Sequence, residues 1–137
     1  MLPDELSETV PEHLGPDQLA QLPSGKRLGI YKHYLKDEYA RIRSVHEQGG
    51  GGCEVAALRS EVIDTLLRSL FLTATAQDSD SSSLSLMANG GYGRGLLNPA
   101  SDIDLLFLLP KASHRIDQHQ RSIVESILYP LFDLGFK

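Results

Sequence analysis

The stretch from Leu84 to Leu109 constrains this chain most, because two short apolar runs are joined there by a glycine-rich turn. Leu84-Ser85-Leu86-Met87-Ala88-Asn89 has the length and mixed alternation of a strand over about 84–89. It leads directly into Gly90-Gly91-Tyr92-Gly93-Arg94-Gly95, where missing side chains let backbone N–H groups approach an anion. After the turn residues Asn98-Pro99-Ala100-Ser101 comes Asp102-Ile103-Asp104, continuing as Leu105-Leu106-Phe107-Leu108-Leu109. This second run predicts a strand over about 103–109, short enough to be buried, and Pro110 stops it.

A strand sends successive side chains to opposite faces, so Asp102 and Asp104 emerge together and Ile103 points away. Two ionised carboxylates this close repel, and one takes up a proton unless a cation neutralises them. Hard oxygen ligands suit Mg²⁺, which fills its remaining octahedral positions with water and substrate phosphate. Arg94 adds a fixed positive charge for a triphosphate or for the aspartates themselves. A helix starting near Tyr92 or Gly93 would aim its first N–H groups at a phosphate. Ser101 has two roles open to it, a hydrogen bond to phosphate or a cap on the turn. Two common phosphate loops are excluded. The segment lacks the Gly-Lys-Ser/Thr ending of a P-loop, and Leu96 occupies the third glycine position of a dinucleotide fingerprint.

The remainder reads as helices around this unit, an α/β (α+β) arrangement of a mixed sheet flanked by helices. Residues 1–23 are acidic and broken by Pro3, Pro11, Pro16 and Pro23, which predicts a flexible leader with a short helical turn around Asp17 to Leu22. Ser24 is the expected N-cap of a helix over about 24–47, with Leu28, Tyr31, Leu35, Ile42 and Val45 inward and Tyr34 and Tyr39 packed beside them. Gly49 to Gly52 ends it as a hinge or loop. A second helix over about 54–72 turns Val55, Leu58, Val62, Leu66, Ser69 and Leu70 inward and leaves Arg59, Glu61 and Arg68 solvated. Gln77 to Ser83 is a polar loop. A third helix over about 113–134 buries Ile116, Ile123, Ile127, Leu128, Leu131 and Phe132, with Pro130 kinking or shortening its last turns and Gly135 ending it.

Composition narrows the functional classes. At 137 residues, 41% hydrophobic and 23% charged, the chain is one domain's worth of globular protein. A net charge of −5 with no basic block excludes a general nucleic-acid coat. No run approaches the roughly 18 apolar residues of a membrane span, so no membrane partner is expected. The start, Met1-Leu2-Pro3-Asp4-Glu5-Leu6, shows no secretory signal. A single cysteine, Cys53, excludes an internal disulfide, fits the cytoplasm, and has no partner at metal-ligand spacing. His13, His33, His46, His114 and His119 are scattered, and the last two are five apart, off one helical face.

The combined string, Gly90-Gly91, ten intervening residues, then Asp102-Ile103-Asp104, resembles the signature of the DNA polymerase beta-type nucleotidyltransferase superfamily. More narrowly, GGYGRG followed by NPASDIDLLFL resembles the N-terminal catalytic domain of the bacterial protein-PII uridylyltransferase/uridylyl-removing family. The resemblance runs upstream through Leu58 to Leu67 and downstream through Leu128 to Phe136, covering about 24–137. Leu96 stands where that family usually places Glu after Gly-Arg-Gly.

The resemblance implies that Asp102 and Asp104 bind two Mg²⁺ ions and that Gly90 and Gly91 hold the triphosphate of UTP, with Arg94 and Ser101 as further nucleotide contacts. The acceptor would be a tyrosine hydroxyl on the PII nitrogen-signalling protein, and pyrophosphate would leave. Superfamily members add a third carboxylate from a later strand, whereas Asp117, Glu125 and Asp133 fall on the last expected helix. The family's hydrolase and glutamine-sensing domains have no counterpart here. The chain therefore reads as the first part of a catalytic domain, incomplete at its C-terminal end, with little activity expected alone. Two other readings stay open: a non-catalytic or regulatory nucleotide-binding module, and a nucleotidyltransferase of the same fold with another nucleotide and acceptor.

Overall fold

The computed structural model describes residues 10–77, 84–110 and 115–137. Expectations for residues 1–9, for 78–83 of the polar loop and for 113–114 of the last helix lie outside the described residues. A 3₁₀ turn at Glu12–Leu14 precedes α1 (Pro16–Leu19), α2 (Ser24–Glu47), α3 (Gly52–Thr75), β1 (Ser85–Asn89), α4 (Gly90–Gly93), β2 (Asp104–Leu108) and α5 (Gln118–Asp133). This is a mixed α/β architecture. None of the described helices is long and apolar enough to cross a membrane.

α3 is the hub, packing against α1, α2 and α5. Its buried residues include Val62, Ile63, Leu66, Leu67 and Leu70, which spread over more of its circumference than a one-sided amphipathic stripe. α2 contributes Tyr31, Leu35 and Ile42, and α5 contributes Ile123, Ile127 and Leu131. Tyr34 and Tyr39 are half-buried against the same core, which is a packing role.

The expectation of a flexible leader is corrected from Val10 onward. Leu14 and Leu19 are fully buried, and Val10 is buried with them. The prolines misled because Pro16 stands at the first position of α1, where its missing N–H removes no helical bond and its fixed φ suits the helix. A buried relay ties this segment down. Ser69 Oγ donates to Leu14 O at 2.6 Å and lies 2.9 Å from Tyr31 Oη. Because the serine proton is committed to the carbonyl, the tyrosine hydroxyl donates to Ser69 Oγ.

Other local expectations change as well. Pro23, not Ser24, occupies the N-cap of α2, and no side chain caps that end. Arg59 is not simply solvated: its guanidinium lies 4.8 Å from the centre of the Tyr39 ring. In α5, Pro130 sits inside a helix that continues to Asp133, where Phe136 N–H donates to Leu131 O and closes the end. Phe132 is 58% exposed because it falls one residue past the Ile123–Ile127–Leu131 line, about 100° around the helix. Ile116 also faces out, preceding the Asp117 N-cap, whose side chain accepts from the Gln120 N–H.

The described sheet has two antiparallel strands, with Ser85 opposite Leu108, Met87 opposite Leu106 and Asn89 opposite Asp104. Ile103, Leu105, Phe107 and Leu109 pack toward the core. The other face carries Asp102, Asp104, Leu106 and Leu108, all exposed. β2 is thus buried on one face only, not on both as its apolar run suggested, with Leu106 48% exposed.

Ser69→Ala should lower unfolding free energy by about 1–3 kcal/mol, since two buried polar groups lose their partner. The shift of the urea midpoint measures this, and faster proteolysis before Leu19 should accompany it. Burial also pushes the phenols of Tyr31, Tyr34, Tyr39 and Tyr92 above their ordinary 10.0. The folded chain therefore holds protons that the unfolded chain releases. Stability is complete below that value and falls as pH rises through it, so the urea midpoint at about pH 11 should lie below that at about pH 9.

Candidate functional site

β1 ends at Asn89, directly opposite Asp104, the first residue of β2. The chain must then leave the sheet without covering Asp104. Gly90 achieves this with φ +59, and a Cβ at that position would collide with Asp104 Oδ2. The Asp104 carboxylate therefore lies over the glycine turn. Gly93 allows a second close approach, since a Cβ there would stand 2.8 Å from Ala88 O. The single turn α4 starts at Gly90, two or three residues earlier than the sequence suggested.

The link from α4 to β2 is pinned on α3. Leu97 is buried, and its N–H donates to Ser60 Oγ at 2.9 Å and to Ala56 O at 3.2 Å. Arg59 Nη2 donates to Pro99 O at 3.4 Å, and Ser101 N–H closes a turn on Asn98 O. Ile103 is drawn toward the core while Asp102 and Asp104 stay exposed.

A cleft of about 640 Å³ results. Gly91, Arg94 and Leu96 form one wall, and Ser101, Asp102 and Asp104 another. Five of the six expected site residues, Gly91, Arg94, Ser101, Asp102 and Asp104, thus line one space. Gly90 contributes from beneath by making room for Asp104. Sequence reasoning missed the third wall, Gly52, Cys53 and Ala56 at the start of α3. Cys53 is exposed on this cleft. The Gly49–Gly52 run was the available signal, because its lack of side chains leaves a helix start open to a neighbouring site.

Two exposed carboxylates on one strand face, with an arginine across the cleft, are a donor set that fits Mg²⁺ completed by water and phosphate. Among the described residues no group of three or more His, Cys, Asp or Glu side chains is placed to hold a metal. A metal held by these two carboxylates alone would take its remaining oxygen ligands from elsewhere.

Gly90→Ala should cost at least about 1–2 kcal/mol from its left-handed backbone alone, and more from the collision with Asp104. Chemical denaturation measures the loss. If the Asp104 carboxylate is a metal ligand, Mn²⁺ titration followed by electron paramagnetic resonance should show weaker binding as it is pushed away, and unchanged binding would remove Asp104 from the metal site.

Residues 71–136 match the nucleotidyltransferase domain family. The bifunctional uridylyltransferase/uridylyl-removing enzyme of Phenylobacterium zucineum is 40% identical over 142 aligned residues, covering 99% of this chain and 14% of that protein. The enzyme of that name from Azospirillum brasilense is 36% identical, with 99% of this chain and 14% of the relative covered. That from Caulobacter vibrioides is 42% identical over 66% of this chain and 10% of its own length. The chain thus spans about one seventh of the first of these relatives. No solved structure matches it. With a glycine turn and an acidic strand joined as described, the chain belongs to the nucleotidyltransferase-domain family, among relatives of the bifunctional uridylyltransferase/uridylyl-removing type.

Proposed function

We propose that this chain carries the nucleotide-binding part of a cytoplasmic uridylyltransferase that moves the uridylyl group of UTP onto a tyrosine hydroxyl of the PII signalling protein. The observation that carries the reading is the Asp104 carboxylate seated over Gly90, in a cleft shared by Asp102, Arg94 and Gly91. The N–H groups of the turn and the Arg94 guanidinium would hold the triphosphate. Asp102 and Asp104 would hold Mg²⁺, which supplies charge neutralisation for the transferring phosphate. The acceptor's phenolic oxygen forms a bond to the α-phosphorus as the bond to the pyrophosphate oxygen breaks, and the phenolic proton passes to solvent. What the protein contributes is position: reactants held at fixed distance and angle react as if highly concentrated.

The names of the relatives, uridylyltransferase and uridylyl-removing enzyme, favour a uridylyl donor, and this chain spans about one seventh of their length. A nucleotidyltransferase with another base is the second reading, supported by the cleft itself: the described side chains gathered there, Arg94, Ser101, Asp102 and Asp104, suit phosphate and metal and do not select a base.

Titration with a fluorescent UTP analogue in Mg²⁺ should give saturable binding. EDTA, or the pair Asp102→Asn and Asp104→Asn, should weaken it at least about tenfold, the loss expected when charge-assisted contacts are removed. Competition by the four ribonucleoside triphosphates reports base preference. Binding that is indifferent to both EDTA and the paired substitution would sink the proposal.

A further inference from the structure

α4 poses a physical problem. One helical turn has the unfavourable entropy of a nucleus and almost none of the cooperative gain. Three of its four residues, Gly90, Gly91 and Gly93, are glycines, which lose the most backbone freedom on ordering. Left to itself the turn would not hold a conformation, and its N–H groups would not face one direction. Its order has to come from outside, and Tyr92 offers the only side chain in the turn by which it can be held.

That side chain is firmly held. Tyr92 is 5% exposed, and its hydroxyl donates to Asp64 Oδ1 at 2.5 Å. Asp64 belongs to α3, whose 24 residues are packed against three other helices, so the acceptor is fixed on the hub of the fold. We infer that Tyr92 and Asp64 are a positioning pair, a tether that fixes the glycine turn on α3 so that its backbone N–H groups are preorganised for the phosphates of a nucleoside triphosphate. The pair rests on the proposed nucleotide role for its consequence and on the turn's geometry alone for its existence. Neither residue lines the cleft as Asp102 and Asp104 do, so the pair acts through the turn and not on the substrate.

Burial first, and the Asp64 carboxylate second, push the phenol far above its ordinary 10.0, while Arg68 one turn along α3 opposes the rise. The tether thus stays protonated across the whole range in which such a protein works. Leaving Asp64 half-buried with its donor removed makes the bond expensive to lose in either direction.

The test uses the 137-residue chain. Tyr92→Phe keeps the ring and removes the bond. Amide hydrogen exchange at Gly90, Gly91 and Gly93 should quicken about tenfold, the loss of one charge-assisted hydrogen bond, while amides of Ile42 and Ile127 stay as they were. UTP affinity in Mg²⁺ should fall by about the same factor, with Mn²⁺ affinity in the absence of nucleotide held within about twofold. Asp64→Asn, which retains an acceptor oxygen, should fall between wild type and Asp64→Ala. The Tyr92→Phe/Asp64→Ala double variant should be no worse than the poorer single one, because both remove the same bond. Unchanged exchange in the turn overturns the tether whatever the nucleotide does. Exchange that quickens equally everywhere also overturns it, since that is ordinary destabilisation. Faster exchange confined to the turn, in a chain that shows no UTP binding even as wild type, upholds the tether and overturns the nucleotide reading instead.

Discussion

The antiparallel pairing that sets Asn89 against Asp104 is the constraint from which the site follows. Because a strand's side chains alternate, this register decides at once which residues meet solvent and which meet the helices. Ile103, Leu105, Phe107 and Leu109 hold the register by their burial, and Asp102 and Asp104 are exposed as its consequence. A slip of one residue would turn Asp102 and Asp104 inward together with Leu106 and Leu108 and expose Ile103, Leu105, Phe107 and Leu109, and the burial of two unpaired carboxylates makes that change unfavourable. The register also brings the end of β1 beside the start of β2. The glycine that begins the turn and the aspartate that begins the strand then contend for one volume, and only the absence of a Cβ settles it.

α3 holds the rest of the connection in place with a single stripe of residues. Ala56, Ser60, Asp64 and Arg68 recur every four positions, so they lie along one side of the helix. Ala56 and Ser60 bind the Leu97 N–H, Asp64 binds the Tyr92 hydroxyl, and Arg68 lies close enough to influence that phenol. The loop between the strands is long, yet at Tyr92 and Leu97 it is bonded to a helix that is itself buried. Its position is inherited from the helical core, which is where the packing energy of the fold resides. The same helix begins at the cleft wall and, further along, holds Leu14 through Ser69, so one element serves both the site and the N-terminal segment.

The long helices were legible in the sequence because burial imposes a period of 3.6 over many turns, and α2 and α3 each have 24 residues in which to display it. The strand–turn–strand unit was legible for the opposite reason: its chemistry is concentrated in a few adjacent positions from Gly90 to Asp104. What escaped were single-residue choices decided by tertiary partners. Leu14 and Leu19 looked like parts of a proline-broken leader, since nothing local announces that Ser69, fifty-five positions from Leu14, will bind its carbonyl. Arg59 read as solvated because the stacking ring of Tyr39 comes from another helix. Asp64 drew no reading of its own, because the hydroxyl it accepts from comes from Tyr92, twenty-eight positions away. Among the residues that line the candidate cleft, Gly91, Arg94, Ser101, Asp102 and Asp104 were legible in the local string. Those contributed by the start of α3 were not, because a glycine run reads as a break whether it faces solvent or a cleft.

The charge balance of the cleft bears on how it would be filled. Asp102 and Asp104 face a single arginine, so a triphosphate arriving alone would meet more negative charge than positive. A divalent ion arriving alone would find two protein carboxylates and otherwise water. On the proposed reading either ligand would improve the site for the other, and linkage would make that improvement equal in both directions. On the proposed reading, the pair of aspartates is therefore less a metal trap than a selector for nucleotide and metal together. Such a selector would suit an exposed site on a strand face, because a stronger set of carboxylates would repel a triphosphate and a more basic cleft would accept one without a divalent ion.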